Sequence, residues 1–179
     1  KPSGEREFSF ARKPGADTQL TIQEVDESIL KTTEIFHVGS LSLTDEPARS
    51  ATFHALKLAK EHGAVISYDP NYRASLWTDE ATAKERMREL LPYVDVMKLS
   101  DEETVLLTDK AAPEQAEKRL NDIGIFCVAV TLGKKGALVS IAGESEVVPG
   151  YKQPAIDTTG AGDAFWGGFL YRMLSIERR

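Results

Sequence analysis

Four consecutive residues near the carboxyl end, Gly160-Ala161-Gly162-Asp163, are the ones whose types and order can do chemistry. Two glycines around an alanine let the backbone turn sharply and present successive N–H groups to a ligand. The segment that follows, Ala164 to Leu174, is apolar and helical in pattern, so its positive amino-terminal end would point the same way. Such a turn suits an anion, or negative charge that develops during a reaction. Asp163 in that setting is expected as a carboxylate able to accept a proton at short range. A base beside an anion cradle fits phosphoryl transfer to a hydroxyl: the base orients the nucleophile while the cradle holds the migrating group. The plainer alternative is a helix-capping turn with an acidic residue in its first turn. Two better-known phosphate loops are excluded. No Gly-x-x-x-x-Gly-Lys-Ser/Thr occurs, and Phe165 stands where a dinucleotide fingerprint needs its third glycine.

Other candidates lie after short apolar runs. Thr131-Leu132-Gly133-Lys134-Lys135-Gly136 could bring backbone close to a nucleotide, or could simply turn the chain into a hairpin. Lys98-Leu99-Ser100-Asp101-Glu102-Glu103 could offer a carboxylate to the water shell of a magnesium ion. It also reads as a helix start in which Ser100 caps and Glu103 completes a capping box, and the two roles are compatible. Asp69-Pro70-Asn71-Tyr72-Arg73 could place Arg73 on a phosphate or an acidic sugar group, or could form a local Asp69–Arg73 pair. Arg12 could reach a sugar or lie in solvent. His37, His54 and His62 lack metal-ligand spacing and read as structural. Phe165, Trp166, Phe169 and Leu170 share a helical face that reads as core.

The elements that must carry these residues alternate along the chain. Buried strands are expected at Ile35 to Gly39, Ala64 to Tyr68, Val94 to Leu99 and Ile125 to Thr131. Helices are expected from Thr21, from Glu46-Pro47 to His62-Gly63, from Thr78 to Leu91-Pro92, from Asp101, and from Pro113 to Gly124. A hairpin is expected around Ala142-Gly143-Glu144, and a short edge strand at Glu7 to Phe10. This pattern predicts a mainly parallel sheet, doubly wound, in a three-layer α/β/α sandwich. Ligands of such sheets bind beyond the carboxyl ends of the strands, where the unusual residues fall.

Composition agrees. The 179 residues are 41% hydrophobic and 28% charged, enough for one domain with a core. The net charge of −6 argues against a nucleic-acid footprint, and no apolar run is long enough for a membrane span. The single cysteine, Cys127, sits in an apolar run and reads as a buried small hydrophobe. A cytoplasmic location is the expectation.

Asp157-Thr158-Thr159-Gly160-Ala161-Gly162-Asp163-Ala164-Phe165, with Gly167-Gly168-Phe169, resembles the carboxyl-terminal signature of the ribokinase/PfkB sugar kinases. The resemblance implies a ribokinase-like fold, ATP and Mg²⁺, Asp163 as base, and Gly160, Ala161 and Gly162 as the anion hole. It also implies Thr131, Gly133, Gly136, Lys98 and Thr159 at the nucleotide, Glu103 at the metal, and Arg73, Asn71 and Arg12 at the substrate. Ser100 departs from the family's asparagine in that motif. Arg6 to Phe10, Lys13 to Asp17 and Gly39 to Arg49 are similar to segments of bacterial fructokinases, so fructose is the expected sugar, converted to fructose 6-phosphate. 2-Keto-3-deoxygluconate kinase, ribokinase and a non-catalytic nucleotide- or sugar-binding domain remain alternatives. Family members are often dimers, so a homodimer is also in view. The family pattern extends past both ends, so residues 1–179 are expected to be one incomplete kinase domain, with 1–20 forming an edge or lid-associated region. By themselves they would be a poor catalyst.

Overall fold

The computed structural model describes Arg12, residues 14–152 and residues 157–177. Six strands form one sheet in sequence order: β1 (Ile35–Gly39), β2 (Val65–Asp69), β3 (Val96–Ser100), β4 (Cys127–Thr131), β5 (Gly136–Ile141) and β6 (Glu144–Pro149). β1 to β4 are mutually parallel; β5 and β6 are antiparallel additions. The edge strand expected at 7–10 lies outside the described residues. Every other strand expectation is met within two residues.

The central strands are apolar on both faces because helices cover both. On one face, Ile66 and Tyr68 of β2, Met97 and Leu99 of β3, and Val128 and Val130 of β4 join the larger core cluster. The helices contributing to it are α1 (Glu27–Leu30), α2 (Ala48–Glu61), α3 (Glu80–Arg88), α4 (Thr104–Thr108) and α5 (Pro113–Asp122). The opposite face carries Val96, Cys127 and Ala129, and there α6 (Ala161–Glu177) lays Trp166 on them, with Phe169, Leu170 and Met173 around it. This is the three-layer sandwich. Strand order is sequential among the described residues, so the reversal that a doubly wound sheet contains does not fall within them.

Local chemistry sets the boundaries. In α2 the small residues Ala51, Ala55 and Ala59 recur every fourth position and are buried, so the helix can approach the sheet closely. It stops at Gly63, whose φ of 85° is left-handed. Asp79 caps α3 by accepting from the Thr82 amide at 2.7 Å. That helix ends earlier than expected because Pro92 cannot continue it, and Leu91–Tyr93 forms a 3-10 turn instead. The helix expected from Thr21 is two fragments, a 3-10 turn over Ile22–Glu24 and the single-turn α1 (Glu27–Leu30). The cause is a second start signal: Asp26 accepts from the Ser28 amide at 2.9 Å and opens a new turn before the first can lengthen. Ala142 and Gly143, with φ of 52° and 87°, make the two-residue turn that a right-twisted hairpin favours.

No helix among the described residues is long and apolar enough to cross a membrane. Leu56 is fully buried in the larger cluster. Leu56→Ala should therefore lower stability by about 2–5 kcal/mol, read as a fall in the urea midpoint without loss of cooperativity.

Candidate active site

Parallel strands bring their carboxyl ends to one edge of the sheet, where Gly39, Asp69, Ser100 and Thr131 terminate β1 to β4. Gly160, at φ 74°, turns the chain into α6 just before Ala161. The Ala161 amide bonds to the Thr158 carbonyl at 3.2 Å, and the Ala164 amide to Gly160 at 2.8 Å. A helix offers no internal acceptor for the remaining first-turn amides, those of Gly162 and Asp163. Upstream, the Thr159 amide donates to Asp157 Oδ1 at 2.7 Å, which stiffens the entry to the turn. Asp163 is exposed at the mouth of the helix.

Lys98 meets this turn from below. A methyl group placed on Gly162 would lie 3.0 Å from Lys98 Nζ, so the glycine leaves the ammonium more room against the backbone than an alanine would. Lys98 and Asp69 form a buried ion pair at 2.9 Å, with side chains only 8% and 4% exposed. Burial holds the Asp69 carboxyl above the ordinary aspartate range even though Lys98 pulls it down. Asp69 Oδ1 also accepts from the Asn71 amide at 3.2 Å, and Asn71 adopts φ 45°, a conformation asparagine tolerates. His37 faces the same cluster. Desolvation holds its imidazole below the usual histidine range, against the opposing pull of Asp69 and Asp163.

Glu103 is buried, and both its oxygens are engaged. Oε2 accepts from the Ser100 amide at 2.8 Å and from the Ser100 hydroxyl at 3.0 Å, which completes the expected capping box. Oε1 accepts from the Tyr72 amide at 2.7 Å, so this carboxylate also clamps the loop after β2 to the turn after β3. Three of its roughly four lone-pair sites are filled. The remaining one could accept from a water in the outer shell of a magnesium ion.

The remaining sequence candidates separate into groups. The Thr131 hydroxyl reaches the Leu99 carbonyl at 3.4 Å, across neighbouring strands. Gly133, at φ 57°, has open space where a side chain would be. Gly136 is required for packing: a methyl group there would come within 2.0 Å of the Val148 carbonyl oxygen on β6. The local Asp69–Arg73 pair does not form, because Asp69 turns to Lys98 and Arg73 Nη1 donates to the neighbouring Tyr72 carbonyl at 3.0 Å. Arg12 is held by the Thr44 hydroxyl and the Leu41 carbonyl, both at 3.0 Å, and by Asp17, so it anchors its segment to the turn after β1. Sequence reading did not foresee the Asp69–Lys98 pair. Its only trace is a charged residue at the end of β2 and another in the middle of β3.

The model of the pfkB family carbohydrate kinases matches residues 1–178. The chain belongs to that family. Among pfkB relatives, a fructokinase from Vibrio alginolyticus is 40% identical over 167 residues, covering 93% of this chain and 54% of the relative. The crystal structure of fructokinase from Vibrio cholerae O395 with fructose, ADP and calcium bound superimposes with a TM-score of 0.85 at 39% identity. That match covers 92% of this chain and 53% of the other. An Escherichia coli structure in complex with ATP and Mg²⁺ gives a TM-score of 0.86 at 34% identity, covering 96% and 56%. The chain thus spans about half the length of these pfkB relatives.

Removing one partner of a buried ion pair strands the other's charge. Lys98→Met should cost about 3–5 kcal/mol near neutral pH. The direction with pH follows from Asp69. Its folded-state proton affinity is already raised, so stability falls as pH climbs through the window in which the native carboxyl ionises. Without Lys98 that affinity rises further, and urea midpoints should show a larger deficit for Lys98→Met at pH 8 than at pH 5.

Proposed function

We propose that the intact protein transfers the terminal phosphoryl group of ATP to a sugar hydroxyl, with D-fructose as acceptor and fructose 6-phosphate and ADP as products. The observation that carries this reading is the approach of Lys98 to Gly162 beneath the α6 turn, with Asp163 at its mouth. Two sources of positive potential, the helix amides and a buried ammonium, converge where a migrating phosphoryl group would need them. The fructokinase solved with fructose and ADP supports the choice of sugar.

In this reading Asp163 accepts the proton of the sugar O6 as that oxygen bonds to the γ-phosphorus and the bond to the β-phosphate oxygen breaks. The first-turn amides left without an internal acceptor, those of Gly162 and Asp163 in the Gly160-Ala161-Gly162 turn, and the Lys98 ammonium neutralise charge on the transferring group. Thr159, Thr131, Gly133 and Gly136 frame the nucleotide. Glu103 would help hold Mg²⁺ through water, and the ion when bound would neutralise the phosphate oxygens. An acidic acceptor would call for a cation facing it. Arg73 is instead turned onto the Tyr72 carbonyl, which favours a neutral sugar over 2-keto-3-deoxygluconate.

The test is ADP release by the full-length protein with fructose, ribose and 2-keto-3-deoxygluconate in parallel. Fructose should give the highest kcat/KM. Asp163→Asn should lower kcat by about 10²–10⁴-fold, the range a general base contributes. ATP binding without ADP formation on any sugar would instead identify a binding domain, and turnover by Asp163→Asn at the wild-type rate would refute the assigned base.

A further inference from the structure

Trp166 is the single buried residue among those whose burial is described in α6, at 2% exposure. Trp166 is thus the most deeply seated contact of the helix that carries Asp163, with Phe169, Leu170 and Met173 packed less deeply beside it. Its indole stacks on Phe169, with ring centres 5.0 Å apart and planes 12° from parallel, and lies against Val96, Cys127 and Ala129. Apolar contact is non-directional, so it does not by itself select a single rotation of the helix. Gly167 and Gly168 follow at once with nothing near the place of a side chain, so they add no lateral hold.

A polar contact supplies the missing direction. Trp166 Nε1 donates to Ser67 Oγ at 2.8 Å, across 99 positions of sequence. Ser67 is fully buried in the middle of β2, an unfavourable place for a hydroxyl unless it has partners. Its second partner is His37 Nδ1 at 2.9 Å, on the directly opposed residue of β1. With the indole as donor, Ser67 Oγ can give its own proton to His37 Nδ1 or accept a second hydrogen bond from it, as the imidazole tautomer dictates. The three side chains form a directional chain from the sheet to the helix.

We propose that Trp166, held by Ser67 and through it by His37, is a positioning residue that fixes the rotation of α6 and hence the location of Asp163 and the first-turn amides. Asp163 lies three residues before Trp166, less than one helical turn away. A side-chain atom about 5 Å off a helix axis moves about 1 Å when the helix rotates by about 10°. A misplacement of about 1 Å can cost roughly 100-fold in rate. This inference rests on the kinase reading for its effect on rate, while its structural half stands apart from it.

The experiment uses the full-length protein and three variants: Trp166→Phe, which keeps an aromatic ring without the N–H; Ser67→Ala, which removes the acceptor; and Ser67→Thr, which restores a hydroxyl. Trp166→Phe and Ser67→Ala should each lower kcat by about 10- to 100-fold, with KM for fructose within about twofold of wild type. The double variant should be no worse than the poorer single one, and Ser67→Thr should recover much of the loss. Hydrogen–deuterium exchange of the amides over residues 161–166 should speed up in the two single variants, measured well below their melting temperatures. Wild-type kcat in Trp166→Phe, additive losses in the double variant, or unchanged exchange over 161–166 would each overturn the proposal. If the wild-type protein phosphorylates no sugar, the kinase reading fails, and the exchange measurement still decides whether this contact orients the helix.

Discussion

An ammonium group buried beside the first turn of a helix is the contact around which the active edge of this protein is organised. Lys98 comes close to the α6 turn at Gly162, where a side chain would crowd it, and its buried amino group is paired with Asp69 at 2.9 Å. The helix amides and the ammonium repel each other electrostatically, so this arrangement is unfavourable without a negative partner. Asp69 supplies part of that charge, and a phosphate group would supply the rest. The same contact therefore accounts for the strand-end aspartate and leaves positive potential at this edge of the sheet.

The loops at this edge are joined to one another rather than only to their own strands. Glu103 links the turn after β3 to the Tyr72 amide after β2. Asp69 reaches forward to Asn71 and sideways to Lys98. Thr131 reaches back from β4 to β3. Each bond removes a buried donor or acceptor that would otherwise go unsatisfied, and together they hold loops from neighbouring strands in register. A site assembled this way resembles a rigid rim, which suits catalysis by positioning and electrostatic neutralisation.

Much of the frame was legible in the linear pattern. The apolar runs, the proline at Pro113, the glycines at Gly63 and Gly124 and the Ala142-Gly143 turn located strands, helix ends and hairpin to within a residue or two. Asp163 and its turn were legible too, because local backbone chemistry and nine consecutive residues of family resemblance coincide there. The capping box of Ser100 and Glu103 appeared as expected. The role of Asp69 did not: its sequence neighbour Arg73 looked like the natural partner, and a lysine 29 positions away took the contact. Arg12, read as a possible sugar contact, has partners in the turn after β1 that its sequence neighbourhood did not announce. Ser67 and Trp166 each looked ordinary, a small residue in a strand and an aromatic in a core face.

The sequence by itself determined the alternation of elements, their caps and the chemical character of the Gly160 to Asp163 turn. Those features depend on residues within a few positions of one another, where periodicity, backbone freedom and capping act. Only the tertiary structure decided which charges meet, because neighbouring strands and an overlying helix bring together groups that are 29 or 99 residues apart along the chain. Such pairings depend on strand order, register and the face on which a helix lands, and a buried polar group takes whichever partner that packing puts within reach.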